Sequence, residues 1–340
     1  MLSLAVKYRP TEFEKVCSQK SIIKILNRQL ELKEYSNCYM FSGPSGTGKT
    51  TIARIFANKI NNNIGEPIEI DAASNNGVDN IRSIISEAKE RSLVSEYKIF
   101  IIDEAHMITT AGWNAFLKCI EEPPKHTIFI FCTTNPEKVP ITIQNRLMRF
   151  NLSKVPVDLI EGRLEVICLL EKADNYREAI QYISKIANGS LREAISNLEK
   201  CLNYNKDLRM ENILECLGVF SYSTLFDLTN FIMDGKDKET LTLLESIFKE
   251  GKEIETFVNI YLDFILDLYK YCLFSNLKLI NIPSAFEKDL KYTTGVDKSD
   301  SYFSWFLDKL LDIKNAIKHD SNSKTTLEIM ILNIIRGWKW

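Results

Sequence analysis

Gly43-Pro44-Ser45-Gly46-Thr47-Gly48-Lys49-Thr50 fits the pattern G-x-x-x-x-G-K-[ST], and its flanks fit as well as its letters. Before it, Tyr39-Met40-Phe41-Ser42 is a short apolar run ending in a small residue, which suits a buried strand. After it, Thr51-Ile52-Ala53-Arg54-Ile55-Phe56-Ala57-Asn58 spaces its apolar residues as a helix does. A strand, a glycine loop and a helix are what a phosphate cradle requires. The glycines let the loop turn its N–H groups inward, and the helix start adds a partial positive charge. In that setting Lys49 reaches the β- and γ-phosphates, the Thr50 hydroxyl coordinates Mg2+, and Thr51 is counted with the loop among the nucleotide-binding residues.

Outward from the loop, strand and helix signals alternate. Ser21 to Leu32 reads as a helix whose one face is Ile22, Ile23, Ile25, Leu26 and Leu30, whereas Ala5 to Phe13 reads as too irregular for a helix, with a stop at Pro10. Ile68-Glu69-Ile70-Asp71 is a short strand, broken by Asn75-Asn76-Gly77, and Val78 to Arg91 a helix. Lys98-Ile99-Phe100-Ile101-Ile102-Asp103-Glu104 is an apolar run ending in two carboxylates, as a central parallel strand would be. Helix Trp113 to Ile120 ends at Glu121-Glu122-Pro123-Pro124, and Thr127 to Asn135 and Met148 to Leu152 complete five strand signals. The pattern predicts a parallel five-stranded sheet with helices on both faces and a ligand along the edge where the strands end. Beyond Pro156 strand signals stop, so a small helical lid and an all-α C-terminal bundle follow, giving domains at 1–154, 155–207 and 208–340. The bundle breaks at Gly235, Gly251, Pro283 and Gly295, and its aromatic-rich runs, such as Phe257 to Leu273, call for a large core or a surface kept for other subunits.

Composition excludes several classes. The 340 residues are 45% hydrophobic and 26% charged with a net charge of −2, so any contact with nucleic acid must come from a local arrangement. Eight scattered cysteines form no C-x-x-C pair and suit reduced thiols; His106, His126 and His319 are too dispersed for a metal cluster. No run is long enough to span a membrane and no signal-peptide core is present, which predicts a cytoplasmic protein.

Asp103 and Glu104 should lie beside the phosphate loop, where the first can hold the Mg2+ that Thr50 touches and the second can orient or activate a water. Both together argue for hydrolysis. His106, in Asp-Glu-Ala-His, reads as a local polar contact. Thr134, beside Asn135, could sense the γ-phosphate or simply cap a strand end. Arg192, opening a helix within Gly189-Ser190-Leu191-Arg192-Glu193-Ala194, could reach the phosphates or be solvated; Arg146, in Gln144-Asn145-Arg146-Leu147, reads by itself as a surface arginine.

Taken together and in this order, these residues resemble the clamp-loader branch of the AAA+ ATPases, in particular the gamma/tau family of bacterial DNA polymerase III. The resemblance rests on Tyr8-Arg9-Pro10, on the loop with Phe41-Ser42 before it, on Glu69-Ile70-Asp71-Ala72-Ala73-Ser74-Asn75-Asn76-Gly77-Val78, on Ile101 to Met107, on Leu117 to His126, and on Gly189 to Ala194. It is dense over residues 1–200 and looser from 211 to 273, where Leu225-Phe226-Asp227-Leu228 is similar to the family's collar. It implies that the cleft binds ATP and Mg2+, that Tyr8, Arg9 and Pro10 belong to the adenine pocket, that Thr134 is sensor 1 and Arg192 sensor 2. Arg146 stands at the family's arginine-finger position, although its neighbours depart from Ser-Arg-Cys. The family's four-cysteine zinc module has no counterpart between Asn58 and Asp71, so zinc is not expected. The chain stops at 340, without the tau extension, which implies a short form from a virus or a reduced genome.

The implied machine is a pentamer of this chain and other clamp-loader subunits that uses ATP to open a sliding clamp and place it on primer–template DNA. Asn75, Asn76 and Arg82, at the start of the helix after the second strand, are the expected DNA phosphate contacts. The rivals are another AAA+ DNA motor and a scaffold that binds nucleotide without turnover.

Overall fold

The computed structural model describes residues 2–217, 221–249, 253–295, 299–318, 320 and 322–337, so His319 and the expected break at Gly251 lie outside the described residues. Five parallel strands, β1 (Cys38–Ser42), β2 (Ile68–Asp71), β3 (Lys98–Asp103), β4 (Thr127–Thr133) and β5 (Met148–Asn151), form one sheet in the order β2-β3-β4-β1-β5. The helices of this stretch are α1 (Leu4–Lys7), α2 (Lys20–Leu32), α3 (Lys49–Ile60), α4 (Val78–Ala88), α5 (Thr110–Glu121) and α6 (Ile141–Gln144), followed along the chain by α7 (Val157–Glu171), α8 (Tyr176–Ile186) and α9 (Leu191–Tyr204).

Strands β1 and β4 are buried at every position because both sheet faces are covered, which is why they read as unbroken apolar runs. Successive residues of β4 serve opposite cores. Phe129 and Phe131 pack with Trp113 and Phe116 of α5, while Ile128, Ile130 and Cys132 pack with Ile52 and Phe56 of α3. Each such side chain contributes roughly 1.5–3 kcal/mol of burial.

Two expectations need correction. Leu4–Lys7 is a helical turn after all, ending before Tyr8 and Pro10. Ile25 is 46% exposed, because α2 sets only Ile22 and Leu26 fully against the sheet. Strand β4 runs between β1 and β3. The carboxylates still meet the loop because α3 leaves the loop and crosses over β4 towards β3; strand adjacency is unnecessary.

The chain folds as two compact units, Met1–Ala173 with Ile183–Leu202, and Asp174–Tyr182 with Asn203–Trp340. The second unit is helical: α10 (Met210–Cys216), α11 (Tyr222–Met233), α12 (Asp237–Lys249), α13 (Ile254–Phe274), α14 (Glu287–Thr294), α15 (Ser299–Ile317) and α16 (Ser323–Gly337). Its core explains the aromatic run. Tyr261 stacks between Phe257 and Phe264 of α13, meets Phe306 of α15 edge-on, and shares a 3.0 Å hydrogen bond with the buried Thr229 hydroxyl. Leu273 and Phe274, at the end of the same helix, are exposed.

Candidate nucleotide site

The loop from Gly43 to Gly48 takes left-handed backbone angles at Gly43 (φ +141°), Gly46 (+71°) and Gly48 (+102°), conformations that side chains other than hydrogen resist. Its far side is closed by the turn into α9: Leu191 N–H donates to Gly46 O at 3.1 Å, which brings Arg192 against the loop. The Thr47 hydroxyl donates to Pro44 O at 2.9 Å, holding the loop's curl. Lys49, only 7% exposed, donates its ammonium to Gly43 O (2.8 Å) and Pro44 O (2.9 Å). Burial pulls its pKa below the ordinary lysine value, against the opposing pull of Glu104. A buried cation served, among the described residues, by loop carbonyls alone is a group for which an anionic phosphate is a strong partner.

Carboxylates occupy the opposite wall. Thr50 Oγ1 donates to Asp103 Oδ2 at 2.8 Å, so the two oxygens expected to share Mg2+ already converge, and both are hard donors that such an ion accepts. Glu104 follows in a left-handed turn, φ +48°, with its N–H returned to Asp103 Oδ1 at 3.0 Å. The turn swings the Glu104 carboxylate away from the strand line and towards Thr134, whose hydroxyl donates to Glu104 Oε2 at 3.2 Å. Thr134 is thus one residue past β4 and bonded to the second carboxylate. His106 is more than a local contact: its Nδ1 lies 3.3 Å from Glu104 Oε2 and 3.2 Å from Thr133 Oγ1.

Tyr8, Arg9, Pro10, Thr51, Glu104 and Arg192 line the same cleft as the loop. Arg9 is depressed from the usual arginine pKa by burial first and by the neighbouring Arg54 next; Arg54 is itself paired with Glu69. The reading of motifs missed two residues of α7. Arg163, which also lines the cleft, donates to Tyr8 O at 2.5 Å, and Glu171 accepts from Lys7 Nζ and the Tyr8 hydroxyl, both at 2.6 Å. No local pattern marks them, because their partners are more than 150 positions away.

The remaining expected residues lie outside this cleft. Arg146 pairs with Glu121 at 2.7 Å and donates to Thr142 O at 2.5 Å, with 39% of its side chain exposed. Arg82 is an exposed side chain on α4, paired with Asp79 at 3.2 Å. The Asn75 side-chain amide donates to Asp71 O, and the Asn76 main-chain carbonyl accepts from the Thr109 backbone and hydroxyl.

A family model described as "DNA polymerase III, delta subunit" matches residues 66–156. The DNA polymerase III subunit gamma of Buchnera aphidicola subsp. Schizaphis graminum is 36% identical over 273 residues, covering 74% of this chain and 75% of its own. The chain belongs to the DNA polymerase III gamma/tau family. The family also includes the DNA polymerase III subunit tau of Bacillus subtilis, 35% identical over 286 residues, which are 78% of this chain and 51% of that one. The chain thus spans about half the length of the first curated relatives it matches. Among solved structures, the Thermotoga maritima RuvB Holliday junction branch migration motor superposes with a TM-score of 0.53 at 17% identity, over 72% of this chain and 86% of that one. That likeness bears on fold alone: a parallel-sheet module with a glycine loop, followed by further helices.

Proposed function

We propose that this chain is the ATPase subunit of a DNA sliding-clamp loader, binding and hydrolysing ATP to open the clamp and place it on primer–template DNA during replication. The observation that carries this reading is the convergence, in a member of the gamma/tau family, of buried Lys49, the Thr50–Asp103 pair and the Thr134–Glu104 pair on one cleft. Lys49 holds the β- and γ-phosphates, and Arg192 reaches them from α9. Thr50 and Asp103 hold Mg2+, which supplies neutralisation of the phosphate charge. Glu104 orients the attacking water and accepts its proton, while Thr134 keeps that carboxylate aimed. Tyr8, Arg9 and Pro10 enclose the adenine.

Arg146, outside its own chain's cleft, serves a neighbour's nucleotide in a pentamer of this chain and other loader subunits. The working division is an ATPase domain at 1–154, a lid at 155–207 and a collar at 208–340 that holds the ring. Asn75, Asn76 and Arg82 contact DNA phosphates by charge and shape, consistent with a near-neutral net charge. Among the described residues no helix is long and apolar enough to cross a membrane, and a cytoplasmic setting fits the function. The catalytic assignment is tested with Glu104→Gln, which should bind ATP as the parent chain does and hydrolyse it ~100-fold or more slowly. Hydrolysis at the parent rate would remove Glu104 from the mechanism.

A further inference from the structure

Resting on that reading of Glu104, we propose that His106 is the positioning residue for the catalytic carboxylate, acting through its Nδ1 atom. The ring is nearly enclosed, with 11% of its side chain exposed, and Nδ1 stands between two groups of opposite demand. Thr133 Oγ1, at 3.2 Å, accepts from the Asn135 N–H at 3.1 Å and therefore has its own proton to offer the ring. Glu104 Oε2, at 3.3 Å, is an acceptor only and needs a proton from the ring. One nitrogen satisfies one of these at a time, so the tautomer decides whether the imidazole is tied to the end of β4 or to the carboxylate.

When Nδ1 carries the proton it faces Oε2, which also receives the Thr134 hydroxyl. Two donors on Oε2 leave Oε1 as the oxygen for a water, since among the described residues no donor reaches Oε1. When Nδ1 accepts from Thr133, Glu104 keeps one donor, Thr134, in place of two and is held less firmly. The ring's partner Thr133 and the carboxylate's partner Thr134 are consecutive at the end of β4, so a shift of either is felt directly at Glu104.

The test compares variants in the full chain, assembled with its partner subunits, clamp and primed DNA. Asparagine places its amide where imidazole Nδ1 lies, whereas glutamine reproduces the position of Nε2. His106→Phe and His106→Gln should each lower kcat by ~10-fold or more, with binding of a non-hydrolysable ATP analogue within about twofold of the parent, while His106→Asn should stay within ~3-fold. A second readout needs no turnover. In the nucleotide-free full chain labelled with 15N-histidine, Glu104→Gln should move the His106 ring resonances and leave those of His126 in place. Parent-like kcat in His106→Phe, equal losses in the Asn and Gln variants, or unmoved ring resonances would overturn the proposal. Those outcomes alongside an inactive Glu104→Gln would leave the reading of Glu104 intact, whereas an active Glu104→Gln would sink that reading first.

Discussion

Gly43 leaves β1 where there is no room for a methyl group. A Cβ built there falls 2.3 Å from Leu152 O, and that carbonyl cannot withdraw, because the Leu152 N–H is bound to Ser42 O at 2.7 Å. The backbone angle of +141° adds strain of order ~1–3 kcal/mol for any side chain. Gly43→Ala should therefore cost about that much stability in thermal unfolding and weaken nucleotide binding by ~10-fold or more. Gly77→Ala, with an ordinary angle and nothing within 4 Å of the added atom, is the control: as the N-cap of α4 it should cost no more than about 1 kcal/mol and leave nucleotide binding unchanged. A Gly43→Ala chain that binds nucleotide normally would show that the loop does not hold phosphate in this conformation. Crowding at Gly43 and Gly46, and the positive φ they share with Gly48, explain why the loop was legible in the sequence: its glycines are demanded by its own geometry.

At the scale of elements, α7 acts as a strap. Arg163 and Glu171 sit about two turns apart on one helix and hold the Tyr8 carbonyl and hydroxyl, so the segment expected to enclose adenine is hung from α7. Glu171→Ala should weaken binding of an ATP analogue by roughly 3- to 10-fold with kcat at saturation unchanged. A fall in kcat at unchanged affinity would contradict the strap. In α13, the nearly enclosed Asp267 accepts the Asn281 N–H at 2.6 Å and lies 3.7 Å from Lys270. Burial raises its pKa above the ordinary 3.8, with those two contacts opposing. Its protonated form is therefore favoured by folding, and the stability this group contributes is present at acid pH and lost as pH rises through the raised value. Asp267→Asn keeps an acceptor without the charge, so its melting temperature should match the parent at acid pH and exceed it near neutrality; a widening gap towards acid would refute this. What the sequence carried at this scale follows from burial. Strands covered on both faces spell themselves as Met40-Phe41 or Phe129-Ile130-Phe131, and Asp103 and Thr50 are marked by short motifs. Strand order is not periodic, so the passage of β4 between β1 and β3 was invisible. So were Arg163 and Glu171, whose partners are distant, and the role of His106, which depends on the left-handed turn at Glu104.

For the whole molecule, the decisive feature is what the cleft does not contain. Lys49, Thr50, Asp103, Glu104 and Arg192 are gathered at one site, while Arg146 is held on the surface by Glu121 and the Thr142 carbonyl. A cationic side chain steadied outside its own cleft can complete a neighbour's, and such an arginine is worth ~10^3-fold or more in rate where it acts in trans. Turnover should then depend on assembly and on whatever closes the ring. The most direct measurement is ATP hydrolysis by this chain, first alone at dilution and then assembled with its partner subunits, with and without primed DNA and the cognate clamp, the Arg146→Ala chain run in parallel. Hydrolysis by the dilute chain should be slow, rise ~10-fold or more when assembly, DNA and clamp are all present, and lose that rise in Arg146→Ala. A rate that is the same alone and assembled, or indifferent to the clamp, would contradict that dependence.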